Sequence, residues 1–324
     1  MNTEARSPGH AWFILVAAVF AVSSAGAVFQ LMAEVPPLLR ASWRLQATSL
    51  VLLPMFIIHI RRARLDEALW TRLTDSRTIP ILLGSAVCLW IHFGTWVWSL
   101  DHTSLTHSLL FVTAHPLVIV VGATLLGHRV ARRSIAGAAI GFLGAAVTLV
   151  GGSGDGQVTM IGDLAAFVGA VAIVGYLIAG RELREWMPLF LYAFPVTFVA
   201  SILLLLTSLA FEGTTVLGST SSTNAFGWAT TDWLPLIAYL ALVPGMVGHT
   251  GINHVLRWLP PLVISVSVLF EPIIGSIIGW LLGTSAAPGL WTWAGGLMLV
   301  AGMLLVTLQE GSDRGTPDPD EVVA

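Results

Sequence analysis

Residues 262–283 read LVISVSVLFEPIIGSIIGWLLG, twenty-two positions with one ionisable side chain, Glu271, followed directly by Pro272. Wound as a helix, a run of this length and apolarity spans the hydrocarbon core of a bilayer. A carboxylate at that depth costs roughly 2.5–3.5 kcal/mol on insertion-based scales, so such a residue marks a pathway more often than a packing site. Pro272 has no N–H to donate to the carbonyl of Val268, and its ring crowds that carbonyl, which predicts a bent helix. In lipid the freed carbonyl needs another partner, so this face must lie against protein or a watery cavity. The rest of the chain can be read as what tolerates and uses the site.

Composition agrees with a membrane setting. The 324 residues are 56% hydrophobic and 10% charged, with a mean hydropathy of +0.84. A soluble domain carries about a quarter charged residues, which excludes one here. The formal net charge of −3 says little, since placement of charge decides more than its sum in a membrane protein. The single cysteine, Cys88, sits in an apolar run, so no intrachain disulfide can form and the thiol reads as a small buried hydrophobe.

Ten apolar runs have the length of a spanning helix, near 11–32, 38–60, 79–100, 103–126, 131–151, 160–180, 187–210, 233–253, 258–282 and 287–308. Thirteen of the fifteen basic residues, all arginine, fall in the N-terminus, the C-terminus or the loops after spans 2, 4, 6 and 8. Arg40 and Arg44 lie at the other end of span 2. Arginine stays on the cytoplasmic side, so both termini are expected there, with residues 61–77 as a cytoplasmic surface segment. Residues 212–232 are rich in Ser, Thr and Gly without arginine, as suits an extracytoplasmic loop, and residues 309–324 read as a disordered acidic tail.

Placing His115-Pro116 on Glu271-Pro272 reveals an internal repeat. Residues 100–127 then lie without gaps on 256–283, sharing Leu100/Leu256, the two prolines and the closing Leu-Leu-Gly. In the next span Gly137 and Gly144 recur as Gly295 and Gly302 after a two-residue shift. The expected fold is therefore an all-α integral membrane protein of ten transmembrane helices in two five-helix repeats, 11–151 and 160–308. An odd number of spans inverts the second copy, and inverted repeats with bent helices at mid-membrane are a hallmark of secondary transporters.

The runs SLLFVTAHPLVIVVGATLLG and SVLFEPIIGSIIGWLLG, within this repeat, resemble the EamA-type ten-helix members of the drug/metabolite transporter superfamily, over most of residues 11–308. The resemblance implies a central cavity between the repeats and transport of small organic solutes. Family members often end both corresponding helices with glutamate, where this chain has His128 and Thr284.

Candidate site residues follow from depth and face. Glu271 leads, because desolvation favours the neutral form of a carboxyl and so suits it to carry a proton. His115 is its repeat mate. His107 and Phe111 precede His115 at four-residue steps and share its helix face, while Ser267 stands one such step before Glu271. Span 8 offers His249 and Asn253, span 3 Trp90 and His92 for stacking on a ring-bearing solute, and span 6 the hydroxyl of Tyr176. Arg44, one turn deeper than Arg40, can hold an anionic group such as a carboxylate, whereas Arg40 is expected to snorkel to the interface. Gly275, Gly279 and Gly283 form overlapping Gly-x-x-x-Gly pairs, which are packing signals.

Gly152-Ser153-Gly154-Asp155 has the form found in intramembrane aspartyl proteases. Such enzymes need a second membrane aspartate, and no Tyr-Asp pair exists here. Gly-x-Ser-x-Gly, His-Glu-x-x-His and Walker-type motifs are all missing, so neither hydrolysis nor ATP use is expected. The expectation is a transporter rather than an enzyme, with no cofactor, no metal and no nucleic-acid partner. A small organic solute and the lipid bilayer are its partners, and homo-oligomerisation stays open. A membrane scaffold or an intramembrane enzyme remain the alternatives.

Overall fold

The computed structural model describes residues 9–127, 131–151, 158–216 and 220–313. The motif at 152–155, His128 and the tail beyond residue 313 lie outside them. Among the described residues the regular structure is helical, apart from a lone bridge between Thr215 and Asn224. In chain order the helices are α1 (Gly9–Gln30, interrupted at Ser24), α2 (Pro37–Ala63), α3 (Glu67–Leu73), α4 (Thr78–Ser99), α5 (Leu105–Val112) and α6 (His115–Leu125). They continue as α7 (Arg132–Gly151), α8 (Met160–Arg184), α9 (Leu189–Phe211), α10 (Leu234–Val255), α11 (Pro261–Ser267), α12 (Glu271–Leu281) and α13 (Leu290–Asp313).

Among the described residues, eight segments are long and apolar enough to cross a membrane: α1, α2, α4, the α5–α6 pair, α8, α9, α10 and Val263–Leu281. The remaining two of the ten expected runs, α7 and α13, are helices of 20 and 24 residues, only part of which the assignment of spans covers. α13 continues past its apolar run to Asp313.

Local chemistry sets the boundaries. Asp66, Ser104 and Thr159 each accept a backbone N–H of the following first turn, from Leu69, His107 and Gly162 at 3.1, 3.3 and 3.1 Å. Gly127 and Gly283, repeat mates that close the two Leu-Leu-Gly runs, have φ of +79° and +69°, the left-handed cap that glycine adopts without strain. At the opposite end from the arginine-rich loops, the Glu212 carboxylate accepts the Leu38 and Leu39 N–H groups at 2.8 and 3.1 Å, capping α2 from far along the chain. The Trp43 indole donates to the carbonyls of Asn224 and Ala225, both at 3.1 Å, so the 212–232 loop is packed onto α2.

The packing has a pattern. α7 lies antiparallel along α13, α9 on α2, and α12 on α5. α4 packs on α8 and α10 on α1; α9 reaches α4, and α2 reaches α10. Exchanging the first five long helices for the second five sends every one of these pairs onto itself or onto another of them. At the α7–α13 crossing a Cβ on Gly144 would meet the backbone of Gly295, and one on Gly302 the backbone of Gly137. That contact also maps onto itself under the repeat.

Candidate functional site

Both proline-marked helices are broken, not merely bent. Thr113 and Ala114 separate α5 from α6, and a 3₁₀ turn, Val268–Phe270, separates α11 from α12. In each case the second half starts at the paired residue, His115 or Glu271, with proline in its first turn, where the missing N–H costs nothing. Between the breaks is a cavity walled by α1, α2, α4, the two broken helices, α8 and α10. Arg44, His92, His115, Tyr176, His249 and Glu271 all face it, with Trp96, Thr113 and Ser265.

Arg44 is the dominant feature. Its residue is 1% exposed, yet among the described residues the guanidinium has no hydrogen-bond acceptor, and Nε and Nη1 are shut off from solvent without one. Only ring faces support it, Phe93 at 4.6 Å and Phe29 at 5.7 Å from the guanidinium carbon to the ring centroids. Glu271 is 7% exposed, and among the described residues it accepts no side-chain hydrogen bond and forms no direct ion pair with Arg44. The two charges act on each other only through space, and buried charges without direct hydrogen bonds are a cost that a fold seldom carries without a use.

The histidines line the wall in different ways. His92 uses Nδ1 on the Gly169 carbonyl at 3.0 Å and stacks on Trp96, and its ring lies 6.2 Å from that of His249. His115 keeps Nδ1 buried without a partner. His249 belongs to a π-helical stretch, Ala241–Thr250, that contains Pro244. Such wide turns inside helices often occur at functional sites.

One end of the bundle is laced by hydrogen bonds between α8 and α10. Tyr176 Oη donates to Asn253 Oδ1 at 2.8 Å, Arg184 Nε to the Asn253 carbonyl at 3.0 Å, and Arg181 to the Leu256 carbonyl. Tyr192 shares a hydrogen bond with Ser85 at 2.7 Å, tying α9 to α4. At the other end Arg40 is fully buried and paired with Asp101, with a further bond to the Met32 carbonyl at 3.3 Å. It does not snorkel, because an acid at the end of α4 meets it within the fold.

Five expected site residues do not line this cavity: Asn253, held against Tyr176, and four that lie elsewhere. His107 is fully buried against Asp163 at 3.2 Å, and Thr103 donates to the same carboxylate at 2.6 Å. Phe111 packs partly buried in the core beside His107. Ser267 bonds the Val263 carbonyl at 3.0 Å and lines a groove with Trp12, Val16 and Phe20. The cause is the break itself. A 3₁₀ turn advances about 120° per residue, so three of them swing Ser267 about 100° off the Glu271 face that an unbroken helix would share. Trp90 instead turns to α9 and donates to Thr207 Oγ1 at 3.3 Å. Two acids were missed, Asp101 and Asp163, each at the edge of an apolar run where it reads as a loop residue.

With this geometry in place, similarity to known proteins becomes informative. Residues 8–150 match the EamA-like transporter family. The matched segment holds Arg44, His92 and His115, and with eight helices long and apolar enough to cross a membrane the chain is a multi-pass integral membrane protein. One solved crystal structure of a protein superposes with a TM-score of 0.64 at 20% identity, covering 94% of this chain and 99% of its own. At that identity the likeness shows the fold alone. No curated protein matches the chain.

Proposed function

We propose that this protein is a secondary transporter of a small organic solute, working by alternating access between two inverted five-helix repeats that make ten spans. The observation that carries the reading is the meeting of two broken helices at a buried cavity whose charged groups, Arg44 and Glu271, make no ion pair and no side-chain hydrogen bond among the described residues. Helices interrupted at mid-membrane, with polar groups at the break, suit reversible binding of a solute there. The pairing pattern of the helices and the Gly144–Gly295 and Gly302–Gly137 contacts support the two-fold relation between the repeats.

The open space at the cavity centre is about 50 Å³, enough for a few waters and well below the roughly 300 Å³ at which small-molecule sites begin. This conformer is therefore contracted, and a solute enters only as the helices part. The α8–α10 hydrogen bonds would open for one side, and the Arg40–Asp101 and Glu212 contacts mark the other. The arginine distribution puts both termini and residues 61–77 in the cytoplasm. Glu271 is the group placed to link solute movement to protons. The test is uptake by sealed vesicles containing the purified protein. Solute accumulation that follows an imposed proton gradient supports the reading, and vesicles that accumulate no more than protein-free controls, across a metabolite panel, refute it.

A further inference from the structure

We propose that the arginine-rich segment joining α2 to α4 is a binding site for the head groups of anionic phospholipids. It needs only that the chain crosses a bilayer, and stands whether or not the protein transports a solute. Residues 61–77 carry five arginines, Arg61, Arg62, Arg64, Arg72 and Arg77, against three acids, Asp66, Glu67 and Asp75. All five arginines are exposed, and among the described residues none of them forms an ion pair. Two of the acids serve the backbone instead. Asp66 accepts the Leu69 N–H at 3.1 Å and Asp75 the Arg77 N–H at 2.8 Å. Arginines at the end of α8 behave differently: Arg181 pairs with Glu185 at 3.6 Å, and Arg184 donates to the Asn253 carbonyl at 3.0 Å. The 61–77 group is thus positive charge that the fold itself does not engage.

Charge alone would fit any polyanion, and depth selects the lipid. Ile57 and Ile58 are exposed on the spanning part of α2, and Arg61 and Arg62 follow them by one helical turn on the same faces. A lipid whose chains lie against these isoleucines has its head group at the level of the two guanidinium groups. Ile79, at the start of α4, is exposed as well, and Leu65 projects among the arginines. Cationic and apolar side chains therefore alternate across the edge of the hydrocarbon, the pattern of a membrane-surface segment. A soluble polyanion would meet the cations and leave the apolar members without a partner.

The cations are also held in place. Thr78 Oγ1 donates to the Arg72 carbonyl at 2.8 Å, which folds the segment back onto the start of α4. The guanidinium carbon of Arg72 lies 4.4 Å from the Trp186 ring centroid, and that of Arg64 lies 5.4 Å from the Trp70 centroid. A ring face supports the flat guanidinium and leaves its in-plane N–H groups open. A phosphodiester takes such a fork with two parallel bonds.

The test uses the full-length protein purified in a neutral detergent and three probes, compared by calorimetry and thermal shift. Dioctanoyl phosphatidylglycerol is the ligand, dioctanoyl phosphatidylcholine its zwitterionic match, and inorganic phosphate the anion without chains. One arginine near an anionic surface is worth roughly fivefold in affinity, so two engaged guanidinium groups predict phosphatidylglycerol binding about 25-fold tighter than phosphatidylcholine at low salt. The advantage should shrink as salt rises, and phosphate should bind far more weakly. Replacing Arg61, Arg62, Arg64 and Arg72 together by Gln should bring the two lipids to equal affinity. Arg132→Gln with Arg133→Gln, at exposed positions on α7, should leave the ratio as in the native protein. If a variant melts lower without lipid, the ratio of the two affinities within that variant remains the readout. Equal affinities in the native protein, a preference that survives the fourfold variant, an equal loss at Arg132 and Arg133, or phosphate binding as tightly as phosphatidylglycerol would each overturn the proposal.

Discussion

A methyl group added at Gly144 or Gly302 tests the α7–α13 crossing, and with it the two-fold arrangement of the repeats. A Cβ at Gly144 would sit 2.6 Å from the Gly295 carbonyl oxygen and 2.7 Å from the Leu299 nitrogen. At Gly302 the distances are 2.4 Å to the Gly137 oxygen and 2.5 Å to the Gly141 nitrogen. These are backbone atoms, which cannot rotate aside, and ordinary contact begins at 3.4 Å, so the helices must part by about 1 Å. Overpacking of this kind costs about 1–3 kcal/mol, and alanine's advantage over glycine inside a helix returns about 0.5–1 kcal/mol. Each single variant should lose about 1–2 kcal/mol, a drop of roughly 2–8 °C in melting temperature. The double variant should lose less than the sum, because the first methyl already separates the helices. Gly122→Ala, with nothing within 4 Å of its new Cβ, is the control and should match or exceed the native protein. The assay is thermal unfolding in detergent followed by tryptophan fluorescence and monodispersity. A Gly144→Ala or Gly302→Ala protein that melts no lower than Gly122→Ala would show that the two helices do not pack backbone to backbone.

Further tests address charge, topology and packing. Glu271→Gln should fold normally, keep solute exchange between vesicle faces and lose accumulation driven by a proton gradient; unaltered gradient-driven accumulation, with exposed Glu34→Gln as control, would make Glu271 structural. Asp101→Asn strips the buried Arg40 of its counter-charge and should cost about 2 kcal/mol or more, read as a lower melting point, and no change would mean that the pair contributes nothing. In a Cys88→Ala background, a cysteine at Ser222 should react with an impermeant thiol reagent on intact cells and one at Arg72 should not; the reverse pattern would invert the topology. Gly279→Leu should lower folded yield, because its Cβ would already lie 2.4 Å from Leu105 and 2.7 Å from Ser285 Oγ, and normal yield would place that face toward lipid.

The sequence carried more of the fold than of the site, for a physical reason. Span length, apolarity and the Leu-Leu-Gly ends act through local rules, so Gly127 and Gly283 could be read as helix stops without knowing any neighbour. The proline breaks were legible for the same reason, since Pro116 and Pro272 act on their own turns. Face assignments failed where those breaks intervened. His107, Phe111 and Ser267 were placed by the period of an unbroken helix, and the turns at Thr113–Ala114 and Val268–Phe270 reset that period. Pairings such as His107 with Asp163 and Arg40 with Asp101 join residues about sixty positions apart, and no local pattern encodes them. Gly295 shows the same limit. Its spacing marks a repeat, but its role as the surface against which Gly144 rests emerges only when two helices meet.

What the repeat shares and what it does not share together define the site. Both halves carry the break, the proline and the glycine stop at matching positions. The residues that open the second halves differ: histidine in one copy, glutamate in the other. A strictly symmetric site with two glutamates would hold two like charges near each other, and one would stay protonated. With histidine in the first copy, the cavity keeps a single acid, and Arg44 balances its charge from α2.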